Sequence, residues 1–207
     1  MTEYKKMHAG LIYDCFDEEI DKAEKDSRRL CEEYNRLGVD DEAEKEKLLK
    51  AVFANDDFGD YRSIISPVFI DNFSEIKIGK NFYANHHFTY ISAGTVTIGD
   101  NVFIGPYCTL AAGMHSLIAN ERRISKDENG MMHDYEYGNP INIGNDVWIA
   151  ANVTVCGGVT IGNGCVIGAG SVVTRDIPDG VIAAGNPCKV IRKITPDDSI
   201  YIKAKRN

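Results

Sequence analysis

Five histidines carry the side chain whose proton exchange lies nearest neutral pH: His8, His86, His87, His115 and His133. His115 stands apart. It follows Gly113 in "AAGMHS" and opens a long excursion, "AAGMHSLIANERRISKDENGMMHDYEYGNP". An imidazole at the mouth of such a stretch suits a general base. His86 and His87 are adjacent, so on a strand they would face opposite ways. With His115 they make a poor set of zinc ligands. The six cysteines, Cys15, Cys31, Cys108, Cys156, Cys165 and Cys188, contain no C-x-x-C pair, and no metal site is expected.

The segments that must position His115 show an unusual rhythm. In "VWIAANVTVCGGVTIGNGCVIGAGSVV", residues 147–173, aliphatic residues fall at Ile149, Val155, Ile161, Ile167 and Val173, six apart each time. Val96, Val102 and Cys108 keep the same step, as do Ile98, Ile104 and Leu110. A period of six is the sign of a parallel β-helix, a prism in which three units make one coil. Coils then stack at about 4.8 Å. The aliphatics point inward. The residues two places earlier, Val147, Val153, Val159, Cys165 and Ser171, fit the tight corners. Gly and Asn in "IGND", "IGNG" and "IGDN" permit the turn conformations.

The rhythm runs from about residue 65 to 184 and breaks between about 112 and 140. That excursion has charges of both signs and no six-residue step. It reads as a long structureless insertion, functional or disordered. After Ala184 the chain turns at Gly185-Asn186-Pro187 and becomes basic.

Residues 1–60 read as helical. "DEEIDKAEKDSRRLCEEYNRLG" spaces Ile20, Ala23, Leu30, Cys31, Tyr34 and Leu37 mostly on one face, with Asp17 as N-cap and Gly38 as stop. "DDEAEKEKLLKAVFAN" predicts a second helix, burying Ala43, Leu48, Leu49, Val52 and Phe53. Two such helices cannot enclose a core alone, so they should pack on the repeat region. The expected organisation is a helical domain over 1–60, then a β-helix over 61–207 with the inserted loop and a C-terminal tail.

The chain has 207 residues, 43% hydrophobic, enough for one substantial core. Its net charge of −8 argues against a nucleic-acid partner. No run approaches membrane-spanning length, the first residues lack the apolar stretch of a signal peptide, and free thiols fit a cytoplasmic location.

Four stretches together resemble the maltose/galactoside O-acetyltransferases: "IGKNFYANHHFTYISAG", "TVTIGDNVFIGP", "NDVWIAANVTVCGGVTIGNGCVIGAGSVVTRDIPDGVIAAGNPCKVIRKI" and the N-terminal "AGLIYDCFDEEI…EYN". The resemblance covers nearly the whole chain. It implies a left-handed prism, acetyl-CoA as co-substrate, a sugar hydroxyl as acceptor, and a homotrimer with active sites between subunits. An alcohol is a poor nucleophile, so a base must take its proton as it attacks. The family's catalytic His falls on His115. The backbone amide that serves the oxyanion maps to Ala151. Asn85 matches an active-site Asn. Asp14 and Asp71 match acceptor-side polar positions, and Trp148 forms an apolar wall beside the transfer site. Ala169 and Thr174 are expected to line the pantetheine groove, with Lys189 and Arg192 on the phosphates. The family's acidic residue near position 93 is replaced by Ala93. His86 and His87 replace an aromatic/amide pair, and the excursion after His115 is longer than expected.

Three other readings compete. The same machinery could acetylate an antibiotic or an amine. A zinc carbonic anhydrase would require converging histidines. A non-enzymatic prism would need no long excursion and would display a regular surface array.

Overall fold

The computed structural model describes residues 1–53 and 59–203. Short strands repeat around three flat faces. The first face stacks Ile76–Ile78, Val96–Ile98, Ile141–Ile143 and Thr160–Ile161. The second stacks Arg62–Ile64, Phe82–Ala84, Phe103–Ile104, Trp148–Ile149, Val166–Ile167 and Val181–Ala184, with Lys189–Lys193 antiparallel at its end. The third stacks Val68–Ile70, Phe88–Ile91, Thr109–Ala111, Thr154–Cys156 and Val172–Val173. This is a left-handed parallel β-helix of about six coils.

The six-residue step has the cause expected of it. Ile149, Val155, Ile161, Ile167 and Val173 are fully buried, and so are the corner residues Val147, Val153, Val159, Cys165 and Ser171. Register is vertical: Ile98 pairs with Ile143, which pairs with Ile161. Each inward side chain therefore rests on its counterpart one coil away. The awkward corners fall to residues that tolerate positive φ, among them Asn101, Asp146 and Asn152.

A β-helix has open ends, and strand edges left bare invite unwanted pairing. Here helix α2 (Glu18–Arg36) covers the first coil. Asp17 caps it by accepting from the Glu19 and Ile20 amides. Asn35 makes two 2.8 Å hydrogen bonds to the backbone of Val68, one in each direction. Ser27 accepts from the Phe73 amide, and Tyr34 donates to the Ile64 carbonyl. Ile20, Cys31 and Tyr34 are buried as the spacing predicts. Helix α3 (Glu42–Val52) adds Leu49, with Phe53 just beyond it; Leu48 and Val52 are partly buried against the core, whereas Ala43 is exposed. The short α3 meets the prism only through its C-terminal half. Ala54 and Asn55, at the end of the predicted helix, lie outside the described residues.

The first sixty residues are not wholly helical. A short helix, α1 (Glu3–His8), precedes a two-residue strand, Tyr13–Asp14. That strand pairs with the excursion, which is not structureless either. Gly113–His115 leaves the prism, Tyr135–Gly138 returns antiparallel to it, and Tyr13–Asp14 adds a third strand on the outer side. Between them, Ser125–Lys126 and Met132–His133 form a hairpin whose turn is tied by Asp127. Alternating polar and apolar residues in "MHDYEYG" suit a strand with one covered face. The excursion closes where it opened: the Asn139 amide donates to the Ala112 carbonyl at 3.1 Å.

Replacing Ile161 with Asp should bury an unpaired carboxylate in the column and cost more than about 4 kcal/mol. The variant should be insoluble or lose its cooperative thermal transition by circular dichroism. A soluble variant that melts like the parent would contradict the inward placement.

Candidate active site

Outward residues of the second face form an apolar stripe. Tyr83 pairs with Phe103, which pairs with Trp148. Phe103 and Trp148 are about half exposed. Beside the stripe, Asn85, Gly105, Pro106, Ala150 and Ala151 round the corner into the third face. Together these residues line a groove of about 530 Å³. Asn85, Trp148 and Ala151, three of the residues named from the family resemblance, therefore line one groove.

The corner has a further property. Coil-to-coil hydrogen bonds make His86, Pro106 and Ala151 equivalent positions: the Tyr107 amide donates to the His86 carbonyl, the Asn152 amide to Pro106, and the Gly170 amide to Ala151. A backbone N–H at this position needs a partner. Pro106 has no N–H, and that of His86 is taken by the Asn85 side-chain oxygen at 2.8 Å. The Ala151 N–H has no hydrogen-bond partner among the described residues. Gly105 keeps the space beside it open, because a Cβ there would stand 2.7 Å from the Ala151 nitrogen. An apolar groove with one unspent amide can bind an oxygen that gains negative charge.

His115 lies elsewhere on the prism. The 113–115 strand leaves at the corner between the third and first faces, as do Asp71, one side chain of the first coil, and Thr174. Gly113 packs on the Ser92 carbonyl, and the Ser92 amide donates to Asp71 at 3.4 Å. The His115 side chain is 56% exposed, and its Nδ1 lies 3.7 Å from Glu136. Glu136 also accepts from the Tyr13 hydroxyl at 3.1 Å. Burial raises the Glu136 carboxyl above its ordinary range, against the opposing pull of His115 and Tyr13. Asp14, on the paired strand, is bound by His133, with Nδ1 2.6 Å from Oδ2.

The remaining predicted residues divide between the two corners. Ala169 sits one coil beyond Ala151, exposed, and its amide also lacks a partner among the described residues. Thr174 belongs to the His115 corner, so one chain does not put it in a groove with Ala169. Lys189 is exposed. Arg192 forms a two-pronged ion pair with Asp198, 2.7 Å on each prong, so a phosphate would have to share its guanidinium. His86 and His87 lie at the Asn85 corner against Tyr107; the three histidines of the zinc reading do not converge within one chain. Cys15, Asp134 and Glu136 come within 4.8 Å of one another, but burial and nearby carboxylates push the Cys15 thiol up to about 12, so it stays protonated. The Ser116 hydroxyl donates to Glu121.

Two family models match the chain. The maltose acetyltransferase hexapeptide capping motif covers residues 6–56, and the bacterial transferase hexapeptide covers 140–175. The chain is 40% identical over 201 residues to the galactoside O-acetyltransferase of Escherichia coli, spanning 97% of this chain and 93% of that one. The chain belongs to the maltose/galactoside O-acetyltransferase family. Solved structures of the family agree in shape. A galactoside acetyltransferase in complex with coenzyme A superposes with a TM-score of 0.85 at 39% identity, covering 97% of this chain and 96% of that one. A maltose O-acetyltransferase from Clostridium difficile 630 gives 0.85 at 35%, covering 94% and 98%. No helix among the described residues is long and apolar enough to cross a membrane.

Four residues that the sequence reading assigned no role lie beside the candidate site residues. Glu136 and His133 sit inside the excursion read as structureless, and only the alternation in "MHDYEYG" pointed to them. Gly105 lies against the Ala151 nitrogen. Glu75, fully buried, accepts from the Ala93 amide at 3.3 Å and from Tyr90 at 2.9 Å. A carboxyl thus stands beside Ala93 after all, although burial holds it toward its neutral form.

Glu136→Gln keeps shape and removes the charge beside His115. Since burial disfavours the Glu136 carboxylate, the parent should lose stability relative to the variant as pH rises through the raised carboxyl range. At pH 8 the variant should melt at or above the parent temperature while turnover falls at least ~10-fold. A clear drop in melting temperature would assign Glu136 a structural role instead.

Proposed function

We propose that this protein is an acetyl-CoA-dependent O-acetyltransferase whose acceptor is a sugar hydroxyl. The open Ala151 amide in an apolar groove is the observation that carries this reading, taken with the named activity of the E. coli relative. His115 is the general base. With Nδ1 directed at Glu136, Nε2 is left to take the hydroxyl proton as the oxygen attacks the thioester carbonyl carbon. The Ala151 N–H donates to the carbonyl oxygen as it gains charge. When the carbon–sulfur bond breaks, the proton held on His115 passes to the departing thiolate. Trp148, Phe103 and Tyr83 exclude water from the transfer and so disfavour hydrolysis. Asn85 keeps its side-chain amino group free to donate to the acceptor, since only its oxygen is bound internally. Ala169 offers a second free amide to the pantetheine arm, and Lys189 suits the phosphates. No covalent acetyl-enzyme is required.

Because His115 and Ala151 belong to different corners of one prism, the complete site is formed by two copies. A second chain brings its third-to-first corner against the Trp148 groove of its neighbour. Flat faces and threefold closure make a homotrimer the natural assembly.

His115→Ala should lower kcat by roughly 10²–10⁴, with acetyl-CoA affinity nearly unchanged. Both are measured on one preparation, by thiol release and by quenching of Trp148, the sole tryptophan. Parent-like turnover on the best sugar would overturn the mechanism. Equal loss of acetyl-CoA affinity would make His115 structural. The assembly is checked separately: sedimentation should give a trimer, and a fully active monomer at micromolar concentration would refute the shared site.

A further inference from the structure

Acetyl transfer as proposed uses His115 and Glu136 but not the chain of side chains that ends beside them. Asp14 accepts from the Asp134 and Phe16 amides through Oδ1, at 3.1 and 3.2 Å, and meets His133 Nδ1 through Oδ2 at 2.6 Å. The other ring nitrogen, Nε2, lies 3.7 Å from Asp127. Asp127 in turn ties the hairpin turn by accepting from the Asn129 and Met131 amides. The imidazole stacks parallel to the Tyr135 ring, 5.9 Å between centroids. One ring thus joins three pieces: the N-terminal strand, the hairpin turn and the strand that carries Glu136.

We propose that His133 is a positioning residue: its imidazolium, clasped between the carboxylates of Asp14 and Asp127, holds the three-stranded sheet that presents Glu136 and His115. The placement is specific. Tyr13 pairs with Glu136, which pairs with His115, while Asp14 pairs with Tyr135. Since cross-strand partners share a face and neighbours alternate, Asp14, Tyr135 and His133 occupy the side away from the catalytic pair. His133 therefore acts on His115 through the sheet, without touching the reacting atoms.

The charged and titratable groups around the ring are Asp14 on the N-terminal strand, Asp127 in the turn, Tyr135 beside it, and Lys126 on the facing hairpin strand, one residue beyond the Ser125 that pairs with His133. Hydrogen bonding to Asp14, with help from Asp127, raises the His133 pKa. For Asp14, burial pulls upward, but the bonds from His133 and two amides outweigh it and the net shift is downward. The clasp is therefore whole in a window. It is lost on the alkaline side as pH rises through the raised His133 value, and on the acid side as pH falls through the lowered Asp14 value. A base such as His115 must also be unprotonated to work. Activity should consequently fall at alkaline pH for a reason outside the reacting groups.

This inference rests on His115 as the base, so the experiment has one arm independent of catalysis. In the full-length protein, parent, His133→Gln and His133→Lys are compared by amide hydrogen exchange at Cys15 and Asp134, corrected for intrinsic rates, at pH 6 and pH 9. The parent should be protected at pH 6 and lose at least tenfold of that protection at pH 9. The Gln variant should be unprotected at both, and the Lys variant, whose charge persists, protected at both. In the second arm, kcat/KM for the sugar should fall five- to twentyfold in the Gln variant at pH 7, with its alkaline limb gone and the acetyl-CoA KM unchanged. The Lys variant should recover most of the rate and carry its plateau to higher pH. Parent-like protection in the Gln variant overturns the proposal, and so do Gln and Lys variants that behave alike. Asp127→Asn, which leaves Asp14 in place, should shift the alkaline limb to lower pH; an unmoved limb counts against the clasp. If His115→Ala retains activity, the catalytic reading fails, while the exchange arm still decides whether His133 holds the sheet.

Discussion

Everything in this molecule depends on the vertical hydrogen-bond ladder from coil to coil. It places every sixth side chain directly above a counterpart, so a single aliphatic column can be close-packed along the axis. It also makes each corner a column of equivalent backbone groups. Once the ladder is fixed, any departure at a corner leaves a backbone group with a different partner from its counterparts. The second-to-third corner departs in three ways. Pro106 removes an N–H, Asn85 occupies the next, and Ala151 keeps its own unspent.

The helical cap obeys the same constraint from the other direction. The first coil has no coil beneath it, so its backbone groups would face solvent or another chain. Asn35, Ser27 and Tyr34 satisfy them one by one. The cap is thus tied to the prism by polar pairing as much as by Ile20 and Cys31. The strand after α1 extends this tie into the excursion, which joins His115 to the N-terminal segment of the chain.

The fold is legible because a six-residue period has one economical explanation. Spacing alone places Ile161 and its counterparts, and residue type alone places the Asp17 cap of α2. The groove residues Asn85, Trp148 and Ala151 are legible through family resemblance, since nothing about an alanine advertises its amide. The excursion is not legible. Its order comes from pairing between segments more than a hundred residues apart, Tyr13 with Glu136 above all, and such pairing leaves no local period. Ala43 is misplaced for a related reason: helical spacing says which residues share a face, but not how far along the helix the contact with the prism extends.

The excursion is closed at its base by the Asn139–Ala112 hydrogen bond and the short ladder of Gly113–His115 with Tyr135–Gly138 beside it. Because its ends are already adjacent, lengthening it costs the coil almost nothing; loop-closure entropy grows only with the logarithm of length. The prism thus behaves as a rigid socket with an exchangeable tool. Changes of length in the hairpin that follows Ser116 leave both the paired base of the excursion and the corner at Ala151 untouched. The excursion and the prism are thus separable in length: one can change while the coil-to-coil register of the other is kept.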